Sequence, residues 1–188
     1  MQATEKSNIQ FLKKPIFYVP FITICIVFIY WWFLPLPTTT FVLVRHAEKT
    51  GNGQQDPISA LGFQRADSLA YTLKYMDLDA IYATQYLRTR QTVSKVAQAE
   101  GINITPYNAT SDSLQVRAFL LNILNTKKGK RILIAGHSNT IPLMLNILEG
   151  KNNFPNINGS VFDNLFISPA KYLSGNEIYH LKYGLHNE

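Results

Sequence analysis

The fold is decided by residues 40–48, which read Thr40-Phe-Val-Leu-Val44 followed by Arg45-His46-Ala47-Glu48. A short apolar run rich in β-branched residues predicts a buried strand, and this one ends in a cation and an imidazole. A second such run, residues 130–135, ends in Gly136-His137-Ser138-Asn139. Ligands of open α/β sheets bind at the carboxyl ends of the strands. Two strand ends with a histidine each, and arginines nearby, predict an anion site with a nucleophilic imidazole.

The remaining pattern alternates strands with helices. Further strands are predicted over residues 79–83 and 103–107, and two terminal strands, suited to antiparallel edges, over 162–167 and 178–183. Helices are predicted over 59–73, 87–99, 112–124 and 140–148. Such alternation predicts a three-layer α/β/α sandwich with a mostly parallel sheet.

The N-terminal segment contains a long apolar run. Residues 15–36 carry no charged side chain over 22 positions. At about 1.5 Å per residue, a helix of this length spans a hydrocarbon core of about 30 Å. Trp31 and Trp32 fit an interfacial aromatic belt. We therefore expect one transmembrane signal-anchor helix before the α/β domain.

The charges around this run predict an orientation. Lys13 and Lys14 precede it, so the positive-inside rule places a tail of residues 1–14 in the cytoplasm and the domain of residues 37–188 outside, in a periplasmic or extracytoplasmic position. A cleaved signal peptide is the main alternative. Its apolar region is usually shorter and ends at a small-residue site, whereas a Trp-Trp-Phe-Leu-Pro sequence ends this run.

Composition narrows the chemistry of the domain. From residue 37 onward there are 15 Lys/Arg against 11 Asp/Glu, a moderate excess that suits an anionic substrate. The sequence has no stripe of Lys and Arg residues with interleaved aromatics, which is the pattern that would predict nucleic-acid binding. The one cysteine, Cys25, lies in the apolar run, so the domain has no disulfide or thiol chemistry. Its histidines have no zinc-type spacing.

Four motifs in order resemble the histidine phosphatase superfamily, which has the phosphoglycerate-mutase-like fold. They are LVRHAEK at 43–49, PISALGFQRA at 57–66, TQYLRTRQT at 84–92 and IAGHS at 134–138. The resemblance covers about residues 40–148. A lone Arg-His pair would be weak evidence, but four ordered motifs on the expected elements are specific.

The resemblance implies a reaction that uses four side chains. His46 attacks phosphorus and becomes a phosphohistidine that water later cleaves. Arg45 and Arg88 hold the phosphoryl oxygens bidentately, and His137 is a third donor. The attacking nitrogen must be unprotonated, which requires that a backbone carbonyl bind the other ring nitrogen. Because these residues supply the positive charge, we expect no metal and no cofactor.

Three more residues have open roles. The motif register favours Arg88 over Arg90 as the phosphate ligand, and we expect Arg90 on a solvated helix face. Glu48 is predicted to lie with the substrate-binding residues and to accept hydrogen bonds from a pocket arginine, and its alternative role is that of an ordinary loop carboxylate. Ser138, which follows the second histidine, is predicted to bind substrate.

The resemblance does not identify the general acid. Family members usually have a glutamate after the third strand or an aspartate directly after the second histidine, where this chain has Ser138. Asp112 is the candidate here, and a helix N-cap is its alternative role. Without a strong acid, we expect good leaving groups such as phosphoramidates or acyl phosphates to be preferred over alkyl phosphates.

The size of the domain bears on the substrate. The chain resembles the short bacterial members, which include phosphohistidine protein phosphatases and a membrane-anchored relative, the lipopolysaccharide core heptose phosphatase. We expect a membrane-anchored, metal-independent phosphatase acting on a phosphorylated small molecule, an envelope sugar phosphate or a phosphohistidine protein. The alternative is a catalytically silent, anchored phosphate-binding or interaction domain.

Overall fold

The computed structural model describes residues 18–33 and 37–184, which fall in two compact units divided between Leu36 and Pro37. The first unit contains helix α1 (Tyr18–Phe33), 16 residues long, and its apolar side chains between Val19 and Tyr30 are mostly exposed. The described residues include no helix long and apolar enough to cross a membrane, so the predicted span is not found among them. The tail of residues 1–14 and both ends of the predicted span lie outside the described residues.

The second unit is built on a six-stranded sheet. The strands are β1 (Thr39–Arg45), β2 (Ala80–Thr84), β3 (Ile104–Tyr107), β4 (Arg131–Gly136), β5 (Asn164–Ala170) and β6 (Tyr179–Lys182). Their order in the sheet is β3-β2-β4-β1-β5-β6. Four neighbouring strands, β3, β2, β4 and β1, are parallel, while β5 pairs antiparallel with β1 and β6 with β5. The predicted mostly parallel sheet with antiparallel terminal strands is confirmed.

Helices cover both faces of the sheet. They are α2 (Ala60–Leu73), α3 (Leu87–Glu100), α4 (Ser113–Thr126) and α5 (Thr140–Glu149). Successive residues of a strand point to opposite faces. Phe41 and Leu43 accordingly share a core with α4 and α5, whereas Val42 and Val44 share one with α2 and α3. The domain is therefore the predicted three-layer α/β/α sandwich.

The register of the two central strands brings the predicted site together. Arg45 of β1 is level with Gly136 of β4, and the His46 amide donates to the Gly136 carbonyl at 2.9 Å. Gly136 leaves no room for a side chain, because an added Cβ would lie 2.8 Å from the Thr140 hydroxyl and 2.9 Å from the Tyr107 hydroxyl. The strand ends can therefore carry His46 and His137 side by side.

Candidate active site

A cavity of about 350 Å³ opens where β1 and β4 end. The imidazole rings of His46 and His137 meet there edge to face, with centroids 5.3 Å apart. Its lining is polar and carries positive charge. The lining residues are Arg45, His46, Lys49, Tyr86, Arg88, Ala109, Thr110, Ser111, His137, Ser138, Asn139 and Thr140.

His46 is held in one tautomer by the backbone. Its Nδ1 lies 2.7 Å from the carbonyl oxygen of Ala47, and because a carbonyl only accepts, Nδ1 carries the proton. Burial, aided by the neighbouring His137 and the charges of Arg45 and Arg88, lowers the pKa of His46 to about 3. The ring is therefore neutral at pH 7, and its Nε2 is the unprotonated nitrogen that a nucleophile requires.

Helix α3 holds the peptide that orients this ring. The Ala47 amide donates to the Thr92 hydroxyl at 2.9 Å, and that hydroxyl donates to the Arg88 carbonyl at 2.7 Å. Both polar groups of Ala47 are thus engaged, its amide by Thr92 and its carbonyl by His46. The position of the nucleophile consequently depends on the packing of α3 against the end of β1.

Arg45 is buried under the loop that precedes β5. Its Nη1 donates to the carbonyls of Asn158 and Val161 at 2.7 and 2.8 Å, and its Nη2 donates to the Gly159 carbonyl at 3.0 Å. The guanidinium carbon lies 4.1 Å from the centre of the Phe162 ring. The loop carbonyls thus fix the direction of this cation.

Arg88 approaches from the first turn of α3. Its Nη1 donates to the Gly53 carbonyl at 2.9 Å, and its guanidinium carbon lies 4.3 Å from the centre of the Tyr86 ring. The Nε atoms of Arg88 and Arg45 are buried and have no hydrogen-bond partner within the described part of the chain. Unpaired buried donors are costly. Both arginines also line the cavity, and the positive charge that they bring to its wall indicates an anion site.

The second arginine of the α3 motif lies elsewhere. Arg90 is exposed and does not line the cavity, whereas Arg88 is buried and does. The two residues are about 200° apart around a helix with 3.6 residues per turn, so they face opposite sides. Their positions agree with the predicted register.

His137 is fixed from two directions. Its amide donates to the Thr140 hydroxyl at 2.8 Å, and its Nε2 lies 3.0 Å from the Thr84 hydroxyl. Burial, with the charges of Arg88, Arg45 and Lys49, lowers the pKa of His137 to about 4. This ring is therefore also neutral at pH 7. Ser138 follows it on the cavity wall, and its role in binding substrate stays a prediction.

Glu48 pairs with an arginine that does not line the cavity. Its carboxylate oxygens accept from Arg65 Nε at 2.9 Å, and Oε1 also accepts from Arg65 Nη2 at 2.6 Å. Arg65 is buried in α2 and donates to the Tyr183 carbonyl at 3.2 Å. Glu48 does accept from an arginine, but the prediction that it binds substrate with the pocket arginines is corrected: it fastens the loop after His46 to α2.

Asp112 caps a helix. Its carboxylate accepts from the Leu114 amide at 2.8 Å and from the Gln115 side chain at 3.0 Å, and these hydrogen bonds lower its pKa. The side chain is exposed and does not line the cavity. A solvated carboxylate stabilised in its charged form is a poor proton donor, so the assignment of Asp112 as the general acid is corrected in favour of the N-cap role.

The cavity also contains residues that the sequence analysis does not single out. Lys49 and Tyr86 both lie within the quoted motifs, so their proximity to predicted site residues was a usable signal. Thr84 also lies in a quoted motif, as its first residue, but nothing in that motif indicates which residue it contacts. It contacts His137 because β2 and β4 are neighbours in the sheet, although 53 positions separate the two residues in sequence.

Comparison with known proteins agrees with this geometry. Residues 41–111 match the model of the histidine phosphatase superfamily (branch 1). No curated protein sequence matches the chain significantly.

Several solved structures share the fold. The protein histidine phosphatase SixA, complexed with tungstate, is 14% identical with a TM-score of 0.62, over 76% of this chain and 96% of that chain. A mycobacterial glucosyl-3-phosphoglycerate phosphatase is 14% identical with a TM-score of 0.60, over 70% and 90% of the two chains. The phosphoserine phosphatase of Entamoeba histolytica is 14% identical with a TM-score of 0.59, over 79% and 98%.

The segment that matches the family model contains three of the four motifs and ends before the fourth, which carries His137. The structural matches cover almost the whole length of each of the three phosphatases. The family match and the shared fold together confirm the resemblance to the histidine phosphatase superfamily that the sequence motifs predict.

Proposed function

We propose that this domain is a metal-independent phosphatase that forms a phosphohistidine on His46. The observation that carries the proposal is the bond from His46 Nδ1 to the Ala47 carbonyl, which leaves Nε2 as the nucleophilic nitrogen. Arg45 and Arg88 line the same cavity, which supports a role for their positive charge in neutralising the transferred phosphoryl group. Once His137 is protonated, it adds a third positive charge to those of the two arginines.

The cavity lining favours substrates with good leaving groups. With Asp112 outside it, no carboxylate lines the cavity in the described part of the chain. Alkyl phosphates need a proton donor for the departing alkoxide, whereas phosphoramidates and acyl phosphates depart more easily. We therefore favour a phosphohistidine protein or another phosphoramidate over an alkyl sugar phosphate. One of the structural relatives is a protein histidine phosphatase, which is consistent with this choice.

Phosphoryl labelling of the full chain tests the nucleophile. Incubation with a radiolabelled phosphoramidate should give an acid-labile, base-stable label on the parent and none on His46→Ala. His180→Gln is the matched control, because His180 lies on β6 and bonds to Asn164, outside the cavity. Labelling that persists in His46→Ala would falsify the assignment. A parent that binds phosphate but is neither labelled nor active would support the silent-domain alternative.

We further propose that the domain is attached to a membrane through the apolar N-terminal segment. The support is the run of 22 uncharged residues at positions 15–36 and the two lysines before it. In the described part of this run, α1 carries mostly exposed apolar side chains between Val19 and Tyr30. By the positive-inside rule the domain would lie outside the cytoplasm, where envelope phosphates are also available as substrates.

A further inference from the structure

Two buried threonine hydroxyls connect His137 to the backbone at the start of α3. Thr84, at the end of β2, places its hydroxyl 3.0 Å from His137 Nε2 and 2.8 Å from the hydroxyl of Thr89. Thr89 in turn lies 2.8 Å from the Tyr86 carbonyl and 3.2 Å from the Thr84 carbonyl. Both threonines are fully buried, so these contacts have no competition from bulk water.

The carbonyl contacts of Thr89, at the far end of this series of hydrogen bonds, determine which way each hydroxyl donates its proton. Carbonyl oxygens only accept hydrogen bonds, so the Thr89 hydroxyl donates its single proton to one of its two carbonyl contacts. The two hydroxyl oxygens lie 2.8 Å apart and need a proton between them, and because Thr89 has committed its own, Thr84 donates to Thr89. With that proton committed, Thr84 can only accept from His137, so Nε2 of His137 carries a proton. The reverse order would leave the Thr89 oxygen facing two carbonyl oxygens with no proton between them, at a cost comparable to an unpaired buried polar group.

A neutral imidazole with its proton on Nε2 has a bare Nδ1. Within the described residues the structure gives His137 Nδ1 no hydrogen-bond partner, and the ring lines the cavity with Arg45 and Arg88. His46 is held in the opposite tautomer, with its proton on Nδ1. The two facing histidines are thus fixed by different means, one by a carbonyl and the other by a hydroxyl chain.

We propose that the Thr84–Thr89 pair fixes His137 in the Nε2–H tautomer, so that His137 binds the substrate phosphate by accepting a proton on Nδ1. This extends the proposed function, because it assumes that the cavity holds phosphate. Thr84 and Thr89 are positioning residues, since they act through His137. When a phosphate monoanion binds, its O–H bond breaks and the Nδ1–H bond forms. The products are an imidazolium and a phosphate dianion joined by a charge-assisted hydrogen bond.

Nitrogen NMR of the full chain, labelled with ¹⁵N-histidine, tests the tautomer directly. At pH 7.5 without phosphate, the His137 ring, assigned by the loss of its signals in His137→Asn, should show the Nε2–H form. Thr84→Ser keeps the hydroxyl and should keep that form. Thr84→Val removes the acceptor and should shift the ring toward Nδ1–H. A parent ring in the Nδ1–H form would overturn the proposal, and so would an unchanged tautomer in a folded Thr84→Val protein.

The NMR result does not require catalysis, so it separates this inference from the proposed function. If Thr84→Val fails to fold, the parent and Thr84→Ser spectra still decide the tautomer. A protein without phosphatase activity whose His137 still carries its proton on Nε2 would refute the proposed function. The same result would support the proposal that Thr84 and Thr89 fix the tautomer.

Calorimetry with inorganic phosphate tests the proton acceptance. Titrations at pH 8 in buffers of different ionisation enthalpy count the protons taken up, and a His46→Ala background removes the other bare ring nitrogen. Because inorganic phosphate is mostly the dianion at pH 8, the proton that His137 gains comes mainly from solution, and binding should take up about one proton. The added Thr84→Val substitution should bring the uptake close to zero, whereas Thr84→Ser should retain it. Uptake that is independent of Thr84, or failure of phosphate to bind, would overturn proton acceptance by His137.

Discussion

At the scale of single residues, two arginines two positions apart have opposite environments. Arg88 is buried beside the cavity, and Arg90 is exposed on the other side of α3. We expect Arg88→Ala to lower kcat/KM for p-nitrophenyl phosphate by about 10²–10³-fold, the range seen when one charge-stabilising donor is removed. Arg90→Ala should stay near the parent and is the matched control. Similar losses from both substitutions would contradict the register.

The two buried histidines should make the folded domain sensitive to acid. Burial lowers the pKa of His46 to about 3 and that of His137 to about 4, both well below the ordinary value of 6.5. The unfolded chain therefore binds more protons below pH 6.5, and stability should be lost as the pH falls from there toward 4. Thermal melts across this window should show a steep fall in Tm for the parent and a shallower one for His46→Gln. Parallel curves would show that His46 is not neutral in the folded state.

At the scale of elements, the contact between α3 and the end of β1 positions the nucleophile. Thr92→Val removes the acceptor of the Ala47 amide while keeping the volume of the side chain similar. We expect kcat to fall by at least about tenfold with little change in KM, because small misplacements of reacting groups are costly. Thr92→Ser should restore most of the rate. Ser94→Ala, on the exposed part of the same helix, is the control.

A changed KM with an unchanged kcat in Thr92→Val would show that Thr92 affects binding and not the placement of His46. A loss of Tm without any kinetic effect would assign Thr92 a purely structural role.

At the scale of the whole molecule, the N-terminal segment should keep the domain with membranes. If residues 15–36 insert as proposed, the full chain should remain in the membrane fraction after a carbonate wash, and a chain starting at residue 37 should not. A C-terminal reporter active only outside the cytoplasm should be active on the full chain. Release of the full chain by carbonate would reject the anchor. A reporter active only inside the cytoplasm would reverse the orientation.

Local pattern alone was enough to predict the elements of the domain and to select four residues that the structure brings to one cavity. The strand and helix periods and the motif positions of Arg45, His46, Arg88 and His137 are encoded within a few residues of each position. The predicted strands and helices accordingly agree with the structure to within about three residues. The same local reading could not resolve Glu48 or Asp112, because each has a polar side chain that suits two roles.

Only the tertiary structure decided those roles. Glu48 meets Arg65 because α2 packs back onto the loop after β1, where Gly62 lets the helix approach: a Cβ there would lie 2.3 Å from the Glu48 carbonyl oxygen. Thr84 reaches His137 only because β2 and β4 are neighbours. Sequence periodicity determines which residues share a face, since that depends on local backbone geometry. Contacts between side chains that are distant in sequence depend instead on strand order and on packing. Such contacts pair Arg65 with Glu48 and place the Thr84 hydroxyl beside the His137 ring.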